Sequence, residues 1–474
     1  MTSVAELIAV TTISGTTAAS TCDTDLAEPT WAFDALPTYG PGASVADPIP
    51  VDTTNATMRP GQLPLAYQKM SDEELHARIV AARETLGDRI VILGHYYQRD
   101  EIVAYADFVG DSFQLANAAL TRPDAEAIVF CGVHFMAETA DILARDEQHV
   151  ILPNLAAGCS MADMADSESV EAAWEELAEV YGFDASQEID EGWFERNPGV
   201  KLPVIPVTYM NSSAALKAFC GRHGGIVCTS SNARTVLEWA FERGERVLFF
   251  PDQHLGRNTA KAMGVPLEQM PMWNPRKDLG GNTSAELDDA RVILWHGFCS
   301  VHKRFTTAQI DAAREQHPGV QVVVHPECPM PVVDAADAAG STELIRRFVA
   351  EAAPGSTIAI GTEVNMVNRL AAQHPDKTIF CLDPVICPCS TMYRIHPGYL
   401  AWTLEGLVEG EWRNEIQVDP DVATHARVAL TRMLAAAPQP LGGTPAPAAP
   451  AAPAAASAPA APAPALTVST GGAR

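Results

Sequence analysis

The amino-acid sequence predicts an α/β protein built on parallel sheets. Ten short runs rich in β-branched and other apolar residues lie between positions 89 and 389, and helix-like stretches separate them. Continuous apolar runs of this kind are typical of parallel strands that helices cover on both faces. In chain order the runs are RIVILGHYYQ (89–98), AIVFCGVHF (127–135), HVILPNLAAGCS (149–160), LPVIPVTYMN (202–211), GIVCTSSNA (225–233), RVLFFPDQHLG (246–256), RVILWHGFCS (291–300), VQVVVHPEC (320–328), STIAIGTEVN (356–365) and KTIFCLDPVICPC (377–389).

The spacing of the runs indicates an internal repeat. Nine of them form three groups of three that begin near positions 89, 202 and 291, which predicts a unit of about 90 to 110 residues present three times. A single doubly wound sheet would give the same set of buried strands, and the runs alone leave both folds open. In either fold, ligands collect at the carboxyl ends of the parallel strands.

The charge balance excludes several kinds of partner. The 474 residues include 32 Lys plus Arg against 59 Asp plus Glu, a net charge of −27. A surface of this sign repels nucleic acid and anionic membranes. The amino terminus MTSVAELIAV lacks a positive region, and the sequence has no apolar stretch of about 18 residues, so we expect a cytoplasmic protein. Ten cysteines are too few for a disulfide scaffold of this length.

The two ends differ in composition from the middle of the chain. Residues 1–65 are rich in Thr, Ala, Asp and Pro, and from about Pro438 the chain is mostly Ala and Pro. Such compositions cannot bury enough apolar surface to offset the entropy of ordering. We therefore expect an extended or disordered N-terminal segment and a disordered tail over 438–474.

Polar side chains gather where three groups of strands end. Hydroxyl, imidazole, amide and carboxylate groups there suit a small polar ligand and proton transfer. The competing interpretation is that they are ordinary strand ends, and that Ser112 and the segment 229–232 only cap helices. The residues alone leave both interpretations open. The groups comprise His95, Tyr96, Tyr97 and Gln98 with Ser112; Tyr209 and Asn211 with Thr229, Ser230, Ser231 and Asn232; and His325 and Glu327 with Ser341 and Thr342.

The cysteines fall into two kinds. Those inside apolar or helix-like stretches, Cys131, Cys220, Cys228 and Cys381, are expected to pack in the core. Cys159, Cys299 and the pair Cys387 and Cys389 instead follow strands in loops with Gly, Ser or Pro, where a thiolate can bind metal. The chain has no C-x2-C pair, so local zinc and ferredoxin patterns are absent. Three thiolates on a four-iron cluster would leave one iron open as a Lewis acid.

The chain resembles the quinolinate synthase family, also called the iron-sulfur quinolinate synthetase A family, from about Gln68 to Leu434. The similarity rests on many motifs in family order. These are GHYYQ, ADFVGDS, CGVHFMAETA, LPNLAAGCSMAD, TYMNSSAALKAF, CTSSNA, FFPDQHLGRN, WHGFCSVH, HPEC, GTEVNMVNRL and CPCSTMYRIHP.

The resemblance implies three similar α/β/α three-layer domains around a pseudo-threefold axis, with the active site where they meet. It divides the chain into domain 1 at 66–200, with an acidic insertion at about 165–200, domain 2 at 201–288 and domain 3 at 289–380. A C-terminal segment at 381–437 would carry the last cluster cysteine and a closing helix.

The implied reaction condenses iminoaspartate with dihydroxyacetone phosphate to give quinolinate for NAD biosynthesis, with loss of phosphate and water. The resemblance also implies one [4Fe-4S] cluster per chain, with an open iron, held by Cys159, Cys299 and Cys389. Cys387 is the reserve for the last ligand. An L-aspartate oxidase or dehydrogenase that supplies iminoaspartate is the implied functional partner.

Substrate-binding and catalytic residues transfer to matching positions. Glu327, Tyr97 and Tyr209 are the expected catalytic residues, with Glu327 as a general acid/base. The implied substrate contacts are His95, Ser112, Tyr209, Asn211, Ser230, His325, Glu327 and Thr342. Tyr96 departs from the family, which often has Asn there.

Three other functions compete with this prediction. An aconitase-like hydro-lyase would use the same open iron. An iron-sulfur sensor or carrier would need the three thiolates but not Glu327, His95 and Tyr209. A zinc- or disulfide-stabilised structural protein would require cysteines closer together than these loop cysteines, which lie 140 and 90 residues apart.

Overall fold

The computed structural model describes residues 62–190, 192–385, 388–436 and 444–445. Most of the predicted N-terminal segment (1–65) and of the predicted tail (438–474) lies outside these residues, as does Cys387. Every helix within these ranges is too short or too polar to cross a membrane.

Three sheets form the framework, and helices flank them. The first sheet has the order β14-β4-β3-β1-β2-β15, the second β6-β5-β7-β9-β8 and the third β11-β10-β12-β13. The strands are β1 (Ile90–His95), β2 (Phe108–Gly110), β3 (Ala127–Cys131), β4 (His149–Ile151), β5 (Leu202–Tyr209), β6 (Ile226–Cys228), β7 (Gly244–Phe250), β8 (Met272–Trp273), β9 (Val292–Trp295), β10 (Gln321–Val324), β11 (Ala338–Ala339), β12 (Thr357–Gly361), β13 (Thr378–Cys381), β14 (Glu415–Ile416) and β15 (Thr444–Pro445).

The three sheets repeat one strand order. In each, the first strand pairs with a short second strand on one side and with the third strand on the other, and the fourth strand follows the third. The four strands of this unit are parallel in all three sheets. The central strands β1 and β3 are buried along their whole length, as strands covered on both faces must be. The α/β fold class predicted from the sequence is confirmed.

One strand does not group as the sequence predicts. The spacing of apolar runs makes 291–300 the opening of the third group, but β9 pairs with β7 and β8 in the second sheet. The third sheet begins instead with β10. The boundary at 288–289 is therefore wrong for this strand, because an apolar run shows that a strand is buried but not which strand it pairs with.

Helices connect the strands and cover both faces of the sheets. Several begin at side-chain caps, such as Ser71 before α2 and Thr306 before α12. The helices are α1 (Leu65–Gln68), α2 (Asp72–Leu86), α3 (Asp100–Val103), α4 (Ser112–Leu120), α5 (His134–Leu143), α6 (Ser167–Tyr181), α7 (Trp193–Arg196), α8 (Ala214–Arg222), α9 (Ala233–Arg243), α10 (Gln253–Ala262), α11 (Ser284–Asp289), α12 (Thr307–Gln316), α13 (Met330–Ala335), α14 (Thr342–Glu351), α15 (Val364–Gln373), α16 (Pro397–Glu409) and α17 (Pro420–Ala436).

The acidic stretch at about 165–200 is packed on one side. Its helix α6 buries Val170, Trp174 and Leu177, and the Tyr181 hydroxyl donates to the carbonyl of Leu287 at 2.7 Å. The stretch is thus attached to the second unit by an apolar helix face.

The C-terminal segment ties the units together. Helix α16 packs on α2, where Arg78 and Glu405 form an ion pair at 2.9 Å. Helix α17 packs on α8 of the second unit, and Arg432 there donates to the carbonyls of Gly221 and Gly225 at 3.2 and 2.9 Å.

The contact between α8 and α17 predicts a strong effect of Gly221→Ala. A Cβ at position 221 would lie 1.9 Å from the carbonyl oxygen of His425. Overpacking of this kind costs about 2 kcal/mol or more, which exceeds the helix propensity that Ala gains over Gly. We expect a lower free energy of unfolding in urea. Replacing exposed Arg427 of α17 by Ala is the control and should change it by less than about 0.5 kcal/mol.

Candidate active site

One cavity lies where the three units meet. All twelve site residues predicted from the sequence line it. From the first unit come His95, Tyr97, Ser112 and Cys159; from the second Tyr209, Asn211, Ser230 and Cys299; and from the third His325, Glu327, Thr342 and Cys389. The structure brings them together because parallel strands direct their carboxyl ends toward the centre.

Two histidines occupy equivalent positions at the carboxyl ends of the first strands of their sheets, since His95 is the last residue of β1 and His325 follows β10. The backbone N–H of Tyr97 donates to Nδ1 of His95 at 3.1 Å, and that of Glu327 donates to Nδ1 of His325 at 3.4 Å. Burial lowers the pKa of each imidazole to about 3, helped by the charge of Arg369 near His95 and by the neighbouring His302 ring near His325. Both rings are therefore neutral at pH 7, and each keeps Nε2–H as a donor.

Hydroxyl groups at helix starts form another part of the wall. Asp111, not Ser112, caps α4, because its carboxylate accepts the N–H of Gln114 at 2.8 Å. Ser341 caps α14, which leaves Thr342 Oγ1 buried and, among the described residues, without a hydrogen-bond partner. The capping interpretation of Ser112 is thus wrong.

Segment 229–232 does not cap α9 through a side chain either. Asn232 precedes the helix but makes no side-chain cap bond, and its Oδ1 accepts the N–H of Thr229 at 2.6 Å. Ser231 donates to Asp111 at 3.2 Å. Ser230 lines the cavity.

The carboxylate of Glu327 is the central charge of the cavity and is 2% exposed. Burial raises its pKa, but His302, His325 and hydrogen bonds from His302 and Tyr209 outweigh that effect and hold the pKa below the usual value. Glu327 is therefore ionised and accepts hydrogen bonds.

A chain of hydrogen bonds leads from Glu327 to Tyr97. His302 Nδ1 lies 2.8 Å from Glu327 Oε2 and carries the proton, since an ionised carboxylate can only accept. On the neutral ring Nε2 then accepts from Thr362 Oγ1 at 3.1 Å, and the Tyr97 hydroxyl donates to Thr362 at 2.7 Å. Burial, with the charge of Glu327, raises the pKa values of Tyr97 and Tyr209, so both phenols remain protonated.

The three loop cysteines sit in the same turn, once in each unit. Each precedes a serine and a short 3-10 turn, and each carbonyl accepts the N–H four residues on. The distances are 3.1 Å for Cys159 and Asp163, 2.9 Å for Cys299 and Lys303, and 3.0 Å for Cys389 and Tyr393. Each turn follows the fourth strand of the repeated unit, which is β4, β9 or β13. The repeat thus delivers one thiol per unit.

The three thiols line the same cavity and influence one another electrostatically. Burial raises the pKa of each, and the charge of Cys389 raises the pKa values of Cys159 and Cys299 further. Backbone N–H groups lower them in part: Ala162 bonds Cys159, His302 bonds Cys299, and Met392 bonds Cys389. Buried thiols with raised pKa values and N–H donors aimed at sulfur ionise once a cation binds them.

Two buried acidic side chains accept hydrogen bonds from the backbone of two of the cysteine turns. Asp252 and Glu363 are the N-caps of α10 and α15. Asp252 accepts the N–H of Cys299 at 3.2 Å, and Glu363 accepts that of Cys389, also at 3.2 Å.

A second group of possible metal ligands shares Cys299 with the three cysteines. The ligand atoms of Cys299, His302 and Glu327 lie within 4.8 Å of one another. Both ring nitrogens of His302 already take part in the hydrogen-bond chain.

Sequence reasoning missed His302, Thr362, Asp252 and Glu363. His302 stands three residues after Cys299 in WHGFCSVH, which is the signal that would have identified it. The others are single polar residues at strand ends, where spacing alone does not separate function from capping.

An α/β enzyme with an enclosed small-molecule site between three parallel sheets is the class that this fold and site define. A family model described as Quinolinate synthetase A protein matches residues 77–435. The chain belongs to the quinolinate synthetase A family.

Similar proteins carry the same family name along most of their length. The chain is 67% identical over 400 residues to quinolinate synthase of Corynebacterium glutamicum, covering 84% of this chain and 96% of the relative. It is 53% identical over 379 residues to quinolinate synthase of Streptomyces coelicolor, covering 79% and 91%. Against quinolinate synthase of Rhodopirellula baltica the values are 52% over 380 residues, 78% and 92%.

The neutral, buried state of His95 predicts sensitivity to acid. Its pKa is about 3 in the folded protein and about 6.5 when unfolded, so only the unfolded chain takes up this proton as pH falls from about 6.5 toward 3. The stability that this adds above pH 6.5 is lost across that window. Urea unfolding of metal-free protein at pH 7 and pH 5 should show a fall about 2 kcal/mol larger for wild type than for His95→Asn. Equal falls would mean that folded His95 is protonated normally.

Proposed function

We propose that this enzyme condenses iminoaspartate with dihydroxyacetone phosphate to form quinolinate, phosphate and water. The observation that carries the proposal is the convergence of all twelve predicted side chains on one cavity. Family membership gives the activity class, and the cavity supplies donors for two carboxylates and a phosphate together with a base for removing protons. A cytoplasmic location and a functional link to an L-aspartate oxidase or dehydrogenase remain predictions.

We propose that Cys159, Cys299 and Cys389 hold one [4Fe-4S] cluster. The equivalent turns, the N–H donors to sulfur and the mutual effect on thiol pKa values support three thiolates acting together. When bound through three thiolates, such a cluster offers an iron with a free coordination position, which acts as a Lewis acid on a substrate oxygen or nitrogen.

The hydroxyl groups at the helix starts suit the anionic groups of the substrates. Thr342 Oγ1 is buried with no partner among the described residues, and Ser112 lies at the first residue of α4. Helix amino termini and hydroxyl donors bind carboxylate and phosphate oxygens without requiring a basic side chain. This arrangement explains how a protein with a net charge of −27 binds anions. His95 and His325 add neutral N–H donors.

The chain of hydrogen bonds from Tyr97 to Glu327 supports proton transfer during loss of water. The order hydroxyl, imidazole, carboxylate in Thr362, His302 and Glu327 is that of a hydrolase triad, in which the carboxylate stabilises a protonated ring. Tyr97 and Tyr209 enter as protonated phenols. Glu327 and His302 take up a proton from substrate carbon or nitrogen, and a phenol returns one to a departing hydroxyl.

The competing functions fit the cavity less well. A sensor or carrier would not need the ionised Glu327 or the relay behind it. An aconitase-like hydro-lyase acts on one substrate, whereas the cavity contains separate anion-binding groups from all three units. A disulfide-stabilised structural protein is not supported, because the eight cysteines of the described residues are all free.

Replacing Glu327 by Gln tests the catalytic part of the proposal. Gln keeps the shape but cannot accept the proton from His302 or stabilise it as a cation, so kcat for quinolinate formation should fall about 10²- to 10⁴-fold. Glu351→Gln, at an exposed position of α14, is the matched control and should retain wild-type kcat. Wild-type kcat in Glu327→Gln with intact iron content would show that Glu327 is not a catalytic residue.

Iron and sulfide counts after anaerobic purification test the ligand set. Wild type should contain about four irons per chain, as one four-iron cluster requires. Cys159→Ser, Cys299→Ser and Cys389→Ser should each lose most of the iron and the quinolinate-forming activity. Cys131→Ala, at a buried position of β3, is the control and should keep both. Iron retained in Cys389→Ser would move the third ligand to Cys387, and iron absent from wild type would refute the cluster.

A further inference from the structure

Four-residue segments at the carboxyl ends of the first strands, 95–98, 209–212 and 325–328, form loops that are equivalent in position and in use. Each carries cavity-lining side chains at its first and third residues. These pairs are His95 and Tyr97 at the end of β1, Tyr209 and Asn211 at the end of β5, and His325 and Glu327 after β10. The second and fourth residues of each loop lie between and after these two. Their backbone carbonyls can accept hydrogen bonds from other parts of the chain.

In the third unit, one side chain binds both of these carbonyls. Asn258 Nδ2 donates to the carbonyls of Pro326 and Cys328, at 2.8 Å in each case. Asn258 lies on α10 of the second unit and is 8% exposed. A residue of one unit thus fixes the backbone on both sides of Glu327 in the next unit.

In the first unit, Arg369 makes the same pair of bonds. Its Nη1 donates to the carbonyl of Tyr96 at 2.8 Å, and its Nη2 donates to that of Gln98. Its Nε is paired with Asp100 at 2.6 Å, so the guanidinium is held on three sides. Arg369 lies on α15 of the third unit. Here too a neighbouring unit fixes the backbone on both sides of a cavity-lining residue, Tyr97.

Asn258 and Arg369 occupy the same position in the repeat. Each stands six residues after the N-cap of the helix that follows the third strand, Asp252 for α10 and Glu363 for α15. Each binds the carbonyls one and three residues after a cavity histidine. We propose that Asn258 and Arg369 are positioning residues. Asn258 fixes the backbone around Glu327, and Arg369 fixes the backbone around Tyr97, in each case from a neighbouring unit. We call each of these pairs of hydrogen bonds a clamp.

The remaining loop is held differently, which explains a buried lysine. The equivalent position on α5, six residues after its N-cap Val133, is Thr139. Its hydroxyl bonds the carbonyl of Phe135 at 2.8 Å and the sulfur of Met210 at 3.6 Å, but no loop carbonyl. The carbonyl of Ser212 instead accepts from Nζ of Lys217, which is fully buried on the loop's own helix α8.

The clamps matter because hydrogen bonds of the site cross the boundaries between units. Glu327 must keep hydrogen-bond contact with His302 of the second unit, and Tyr97 must keep contact with Thr362 of the third. Displacement of a reacting group by about 1 Å costs on the order of 100-fold in rate. This kinetic part of the inference rests on the proposed function, whereas the clamping itself does not.

Hydrogen exchange followed by mass spectrometry tests the clamps on the intact enzyme. The amide of Cys328 donates to the carbonyl of His325 at 3.0 Å, and that of Gln98 donates to the carbonyl of His95 at 2.9 Å, so peptides containing them report on each loop. Asn258→Leu should speed exchange at least about 10-fold in the peptide around 325–328 and leave that around 95–98 unchanged. Arg369→Met should do the reverse.

Two further variants separate a clamp from a general effect on folding. Asn368→Ala, at an exposed position beside Arg369, should leave both peptides and the melting temperature as in wild type. Arg369→Lys keeps the charge but offers one nitrogen in place of the three that bind Tyr96, Gln98 and Asp100, so its exchange should lie between wild type and Arg369→Met. Unchanged loops in the main variants, or faster exchange throughout the chain, would each overturn the proposal.

Kinetics complete the test. In Asn258→Leu and Arg369→Met, kcat for quinolinate formation should fall about 10- to 100-fold while KM changes much less, because the ligand-binding hydroxyls stay in place. If wild type makes no quinolinate, the proposed function fails and the exchange results still decide whether the clamps exist. Faster exchange with unchanged kcat would overturn the role in positioning.

Discussion

The ionised carboxylate of Glu327, shut away from water, is the interaction on which the site depends. A buried charge is strongly destabilising unless neighbouring groups compensate it, and here His302 and Tyr209 do so from a different unit. His302 also lies three residues after Cys299, so the turn that presents a thiol presents the partner of the carboxylate as well. The charge, the thiol and the relay are therefore fixed relative to one another by one short segment.

The general fold could be predicted from the sequence because its signal is local. Fully apolar runs such as the one containing β3 can be satisfied only by burial on both faces, and all ten runs contain strands. The pairing of β9 could not be predicted, because it depends on neighbours 45 or more residues away along the chain in β7. Strands of two or three residues, such as β2 and β11, are too short to produce a periodic pattern.

The site, like the fold, could be predicted from the sequence only in part. Polar residues at strand ends indicated where a ligand binds, and the family resemblance then selected among them. Neither indicated that Glu327 is ionised, since this follows from its distance to His302, a residue 25 positions away. The interpretation of Ser112 as a helix cap was wrong for a related reason: Asp111 and Ser112 are both good capping residues, and only the bond to Gln114 distinguishes them.

The repeated strand order has a consequence for recognition. Three identical units would offer a ligand three identical walls, and such a pocket could not distinguish one end of a molecule from another. The corresponding loop positions instead hold His and Tyr, Tyr and Asn, and His and Glu, while the cysteine stays the same in every unit. Because the loop residues differ, the walls of the pocket are chemically distinct, while the repeated cysteine keeps one feature common to all three units. A scaffold of repeated units of this kind can bind two dissimilar molecules in a defined mutual orientation without any change in its strand topology.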